Sequence, residues 1–184
     1  MILSMNNFEE YISAHDTTLR EILKLDIENF VFELRKVLSN NGILWTAGNG
    51  GSSSTASHAQ CDFSKGIHKR LEIQSRVVCL TDMTATHSAW ANDFSFDTAI
   101  ENLCMNFVSL NDALLLISGS GNSKNILNAA LYAKSKGIKI FALTGFDGGA
   151  LKSIADFCIH VPSNDMQVVE NIHLILVHWI FKKY

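Results

Sequence analysis

Five short apolar runs recur along this chain, at Ile43–Ala47, Val77–Thr81, Ala113–Ser118, Ile138–Thr144 and Phe157–Val161. Small or polar residues follow each run, and then a helix-like stretch. Strands that are apolar almost throughout, alternating with helices, predict a parallel sheet covered on both faces. The first forty residues read as helical, with Ile22, Leu23, Leu25, Ile27, Phe30, Phe32, Leu34 and Val37 spaced among Glu, Lys and Arg. At 184 residues, with Pro162 the only proline and no Ser/Gly-rich linker, the chain is expected to form a single domain over 1–184. The fold class is therefore α/β: a five-stranded parallel sheet flanked by helices, with an N-terminal helical segment, 1–40, packed on it.

Two of the runs end in loops suited to an anion. Gly48-Asn49-Gly50-Gly51-Ser52-Ser53-Ser54 and Ser118-Gly119-Ser120-Gly121-Asn122-Ser123 each lie between a strand and a helix. Glycine lets the backbone approach a ligand closely, and a helix start offers free N–H groups and the positive end of its dipole. The serines add hydroxyl donors. The alternative for either loop is a tight turn with a serine N-cap, and two such loops at two strand ends favour phosphate. Neither loop is a Walker A sequence or a GxGxxG fingerprint, which argues against nucleotides.

A second constellation follows the first loop. His58 and Asp62 are four apart on one helix face, a common half-site for zinc. Glu170, His173 and His178 on the last helix offer a second half. The structural alternatives are an ordinary His–Asp contact and two core histidines. Glu170 and His178, eight apart, are separated by roughly 12 Å along a regular helix, so His173 is an alternative to one of them.

The segments GNGGSSSTASHAQCD, ANDF, LLLISGSGNS, ALTGFDGG and VENIHLILVH together resemble the bacterial phosphoheptose isomerases, which are sugar-isomerase (SIS) domain proteins. The resemblance covers nearly all of the chain from Ile43 onward. It implies an aldose–ketose isomerase, with sedoheptulose 7-phosphate as substrate and D-glycero-D-manno-heptose 7-phosphate as product. The product would supply lipopolysaccharide, capsule or another surface glycan. Substrate contacts carry over to Asn49, Gly50, Gly51 and Ser52, to Asn92 and Asp93, and to Ser118, Gly119, Ser120 and Ser123. One zinc ion per site is implied, held by His58, Asp62, Glu170 and His178. The family is usually tetrameric, with sites between subunits. The apolar run Ile172–Phe181 agrees with an oligomer.

Three positions depart from the family pattern. Asp62 stands where Glu is common, Glu170 where Gln is common, and Lys65 near a usual arginine. Lys65 supplies a point charge without the planar fork of Arg. Isomerisation needs a base for the carbon-bound proton and an acid or metal for the oxyanion. Asp62 is the leading base, His178 its acid–base partner, and Glu170 the rival base; Asp62, Lys65 and Glu170 also face the substrate in this reading. The competing functions are an isomerase for another sugar phosphate, a non-catalytic SIS scaffold that binds a replication initiator or other protein, and a sugar-phosphate-sensing domain.

Net charge (−3) gives no basic field for nucleic acid or anionic membranes. Cys61, Cys79, Cys104 and Cys158 form no CxxC pair and read as reduced thiols. The first residues lack a signal-peptide pattern, and no apolar run reaches membrane-spanning length. A cytoplasmic protein is expected.

Overall fold

The computed structural model describes residues 7–23, 25, 27–72 and 74–184. Two helices, α1 (Phe8–Ile22) and α2 (Ile27–Ser39), precede the first strand. Then come β1 (Ile43–Gly48), α3 (Gly51–Cys61), a π-helical segment (Asp62–Ile67), α4 (His68–Leu71), β2 (Arg76–Cys79) and a 3-10 turn (Leu80–Asp82). Next are α5 (Thr84–Asp93), α6 (Phe96–Phe107), β3 (Ala113–Ser118), α7 (Lys124–Ser135), β4 (Lys139–Thr144), α8 (Gly149–Ile154), β5 (Phe157–His160) and α9 (Met166–Lys182).

All neighbouring strands pair in parallel, in the order β2-β1-β3-β4-β5. Strand side chains alternate between faces, and two cores result. Leu44, Leu115, Ile117, Phe141 and Leu143 pack with α2, α3 and α9 on one face. Trp45, Ala47, Leu114, Leu116, Ile140 and Ala142 pack with α6, α7 and α8 on the other. The expected second strand, Val77–Thr81, is corrected at its end. Leu80 is fully buried but belongs to the 3-10 turn, and burial alone does not distinguish a strand end from a tight turn.

Asp112 fixes the lower edge of β1 against β3. Its buried carboxylate accepts from the backbone N–H groups of Ile43 (2.8 Å) and Ser109 (2.9 Å) and from Trp45 Nε1 (3.0 Å). At the opposite edge the chain leaves β1 and β3 toward different faces of the sheet, through α3 and α7. That divergence makes a crevice at the carboxyl ends of the strands, where α/β sheets hold ligands.

Candidate active site

Both sequence-predicted loops open into this crevice. Asn49, Ser52, Ser118, Gly119, Ser120, Ser123, Met166 and Glu170 line a small cavity of about 130 Å³. Behind the lining, Asn49 and the buried Asn125 exchange side-chain hydrogen bonds: Asn49 Nδ2 donates to Asn125 Oδ1 (2.9 Å), and Asn125 Nδ2 donates to Asn49 Oδ1 (2.8 Å). Asn125 escaped the sequence reading because it lies on α7 beyond the loop. Its asparagine, buried among Ile and Ala, was the available signal.

The helix starts at this cavity are not capped by side chains. Gly50 precedes α3 and Ser123 precedes α7, and neither makes a side-chain cap hydrogen bond. Three other helices carry the usual device, in which Asn7, Ser95 and Asp165 accept from Glu10 N, Thr98 N and Val168 N, whereas α4, α5 and α8 lack it too. The serine N-cap alternative for the two loops therefore does not describe them. Gly50 has φ +52°, in the left-handed region that favours glycine.

Beside this cavity α3 and α9 run side by side. Near its start α3 meets Glu170: a Cβ on Gly51 would stand 2.2 Å from the Glu170 carboxylate. Two turns further on, His58 meets His178. Their Nε2 atoms are 2.8 Å apart, and Asp62 Oδ2 lies 3.3 Å from His58 Nε2 and 3.7 Å from His178 Nε2. These three side chains are 43%, 47% and 25% exposed for His58, His178 and Asp62. Asp62 is the first residue of the π-helical segment, a feature found often at functional sites.

The trio suits a divalent transition metal. Its ligand atoms all lie within 4.8 Å of one another. A tetrahedral zinc with bonds of about 2.0–2.2 Å has ligand atoms roughly 3.3 Å apart, and the observed separations straddle that value. Two imidazoles and one carboxylate also match the three-ligand set of catalytic zinc sites, which leave a position open.

Glu170 is not brought into the trio. Because α9 is a continuous helix, the eight residues from Glu170 to His178 carry the two side chains to opposite ends of the α3–α9 contact. His173 also lies outside the trio. It is fully buried, its Nε2 lies 3.2 Å from the Thr144 carbonyl oxygen, and burial pushes its pKa down to about 4. Lys65 is exposed on the π-helical segment. Asn92 and Asp93 end α5, exposed and bonded to each other (2.9 Å), and neither lines the cavity between the two loops.

A wider cleft of about 690 Å³ lies on the other side of α3, lined by Gly50, Ser53, Ser54, Ser57, His58, Cys61 and Asp82. Ser53 Oγ donates to Thr81 Oγ1 (2.8 Å) and Ser57 Oγ to Asp82 Oδ2 (2.7 Å), which fixes α3 against the turn after β2. Asp82 was not anticipated; a polar residue at a strand's carboxyl end was the sign.

Comparison with known proteins decides the family. The SIS domain family model matches residues 7–145. The phosphoheptose isomerase of Helicobacter pylori is 32% identical over 161 residues, covering 88% of this chain and 81% of the relative. Phosphoheptose isomerase 2 of Campylobacter jejuni is 34% identical over 186 residues, covering 96% and 92%. This chain belongs to the phosphoheptose isomerase family. The solved structure of phosphoheptose isomerase GmhA from Neisseria gonorrhoeae superposes with a TM-score of 0.84 at 27% identity, covering 96% of this chain and 98% of that one. Among the described residues, no helix is long and apolar enough to cross a membrane.

Proposed function

We propose that the crevice isomerises sedoheptulose 7-phosphate to D-glycero-D-manno-heptose 7-phosphate, a heptose supplied to a surface glycan. The observation that carries the phosphate assignment is the pair of uncapped helix starts at one cavity, ringed by Ser52, Ser118, Ser120 and Ser123. Their N–H groups and hydroxyls bind an anion without a lysine or arginine among the cavity's lining residues. Asn49, Gly50 and Gly51 complete the first loop. Anchoring the phosphate spends binding energy on orienting the sugar's reacting end.

His58, Asp62 and His178 hold one zinc ion in this reading. Zinc would polarise the carbonyl and stabilise the developing oxyanion. Asp62 takes the carbon-bound proton with the carboxylate oxygen that is not on the ion, and His178 is its acid–base partner when its Nε2 is released from the ion. The separate position of Glu170, on the cavity wall and outside the trio, supports it as the alternative base. Asn92, Asp93 and Lys65, exposed in one chain, are available to a site shared between subunits of a homo-oligomer, which we propose is a tetramer. A cytoplasmic location suits a phosphorylated substrate.

Turnover of sedoheptulose 7-phosphate should be lost with a chelator and restored by zinc. Failure of every condition, with no binding of the sugar phosphate, would remove the isomerase reading and favour a protein-binding scaffold.

A further inference from the structure

The motif at 143–149, Leu-Thr-Gly-Phe-Asp-Gly-Gly, belongs to neither the trio nor the cavity lining, yet it packs against the second loop with no room for side chains between them. A Cβ on Gly121 would stand 2.0 Å from the Gly148 carbonyl oxygen, and one on Gly149 would stand 2.5 Å from that of Ser120. Gly121, Gly148 and Gly149 all have positive φ. Two backbones are brought together here as only glycine permits.

The carbonyl oxygens of the second loop are engaged from two sides, those of Gly119 and Gly121 across this contact and those of Ser118 and Ser120 within the loop. The Ser118 carbonyl accepts from Gly121 N (3.1 Å), that of Gly119 from Gly145 N (2.8 Å) and that of Gly121 from Leu151 N (3.0 Å). The Ser120 carbonyl accepts from Asn122 Nδ2 (3.2 Å). Four consecutive carbonyl oxygens of the second loop are thus engaged within the protein. A carbonyl oxygen facing an anion repels it, so committing all four leaves the serine hydroxyls and the loop's remaining N–H groups to set the cavity's polarity.

Asn122 joins the two loops. Besides donating to the Ser120 carbonyl, its Oδ1 accepts from Ala150 N (3.0 Å), and its own N–H donates to Ser120 Oγ (3.2 Å). It thereby holds both the carbonyl and the hydroxyl of Ser120 while being exposed itself.

We infer that Asn122, buttressed by the 145–150 loop, is a positioning residue that makes the second loop selective for the phosphate anion by fixing Ser120. This rests on the phosphate reading of the cavity given above. Asn122 acts on phosphate only through Ser120, so it strengthens substrate and transition state alike and should appear in KM rather than kcat.

The test measures inorganic phosphate binding by calorimetry, and KM and kcat for sedoheptulose 7-phosphate, in wild type, Asn122→Ala, Ser120→Ala and the double variant. Asn122→Ala should weaken phosphate binding about tenfold and raise KM similarly, with kcat within about twofold and a melting temperature lowered by no more than roughly 4 °C. The double variant should bind no more weakly than Ser120→Ala, because the two act as one unit. Asn122→Asp, which still accepts from Ala150 N but cannot donate to the Ser120 carbonyl, should be at least as impaired as Asn122→Ala. Wild-type phosphate affinity in Asn122→Ala, or additive losses in the double variant, would overturn the inference. Absence of phosphate binding in wild type would instead remove the phosphate reading, and this inference with it.

Discussion

His58 Nε2 and His178 Nε2 stand 2.8 Å apart although 120 residues separate them in sequence. Two imidazole nitrogens at that distance need either one shared proton or a common ion. With Asp62 Oδ2 completing the triangle, the arrangement predicts zinc-dependent stabilisation. At a hundredfold excess over Kd, zinc should stabilise the fold by about 2.7 kcal/mol. For a chain of this size that raises Tm by roughly 5–10 °C. Differential scanning fluorimetry with zinc and with chelator reads this directly. An equal zinc shift in His178→Ala would show that the ion binds elsewhere.

Asp62 and Glu170 are distinguished by their positions, one inside the trio and one on the cavity wall. The base should lose roughly 10²–10⁴ in kcat when made an amide. If Asp62 is the base, Asp62→Asn shows that loss while retaining inorganic phosphate binding, and Glu170→Gln stays within an order of magnitude of wild type. The reverse ranking would assign the proton to Glu170. Activity of Asp62→Asn within a few-fold of wild type would exclude it as the base.

The uncapped start of α7 gives a prediction opposite to the usual rule for an N-cap serine. Ser123→Ala should leave stability nearly unchanged while weakening phosphate binding about tenfold. Ser95→Ala, which removes a real cap on α6, should cost about 1 kcal/mol and leave phosphate affinity intact. Urea denaturation and calorimetry on both variants check the pair. A destabilised Ser123→Ala with wild-type affinity would reverse the assignment.

His173 predicts a pH dependence of stability. Burial lowers its pKa from 6.5 to about 4 in the folded chain, so between these values the unfolded state binds more protons. Its contribution is complete above about pH 6.5 and is lost as pH falls toward 4, in total about 3 kcal/mol. Urea denaturation of wild type and His173→Gln from pH 7.5 to 4.5 should give converging stabilities, with the variant's profile the flatter. Parallel profiles would mean that His173 does not titrate differently on folding.

Much of the site could be read from the chain. The GNGG and SGSGNS segments announced loops at strand ends, and the spacing of His58 and Asp62 placed both on one helix face. The role of the 143–149 motif was not readable, because its function is a set of backbone hydrogen bonds to a loop more than twenty residues earlier. The two histidines of α9 looked equivalent in sequence. One is a core residue on Thr144 and the other belongs to the trio, since five residues along a helix turn a side chain to a different face.

What the sequence determined by itself was the alternation of apolar strands and helices, and with it a covered parallel sheet whose strand ends carry glycine and serine. Those are local consequences of periodicity and backbone freedom. The tertiary structure decided the rest by setting α3 alongside α9. That packing brings His58 to His178 and sends Glu170 to Gly51, because two regular helices in contact fix which turns can meet. It likewise set the segment from β4 into α8 against the second loop, where Gly145 N and Leu151 N engage the carbonyl oxygens of Gly119 and Gly121.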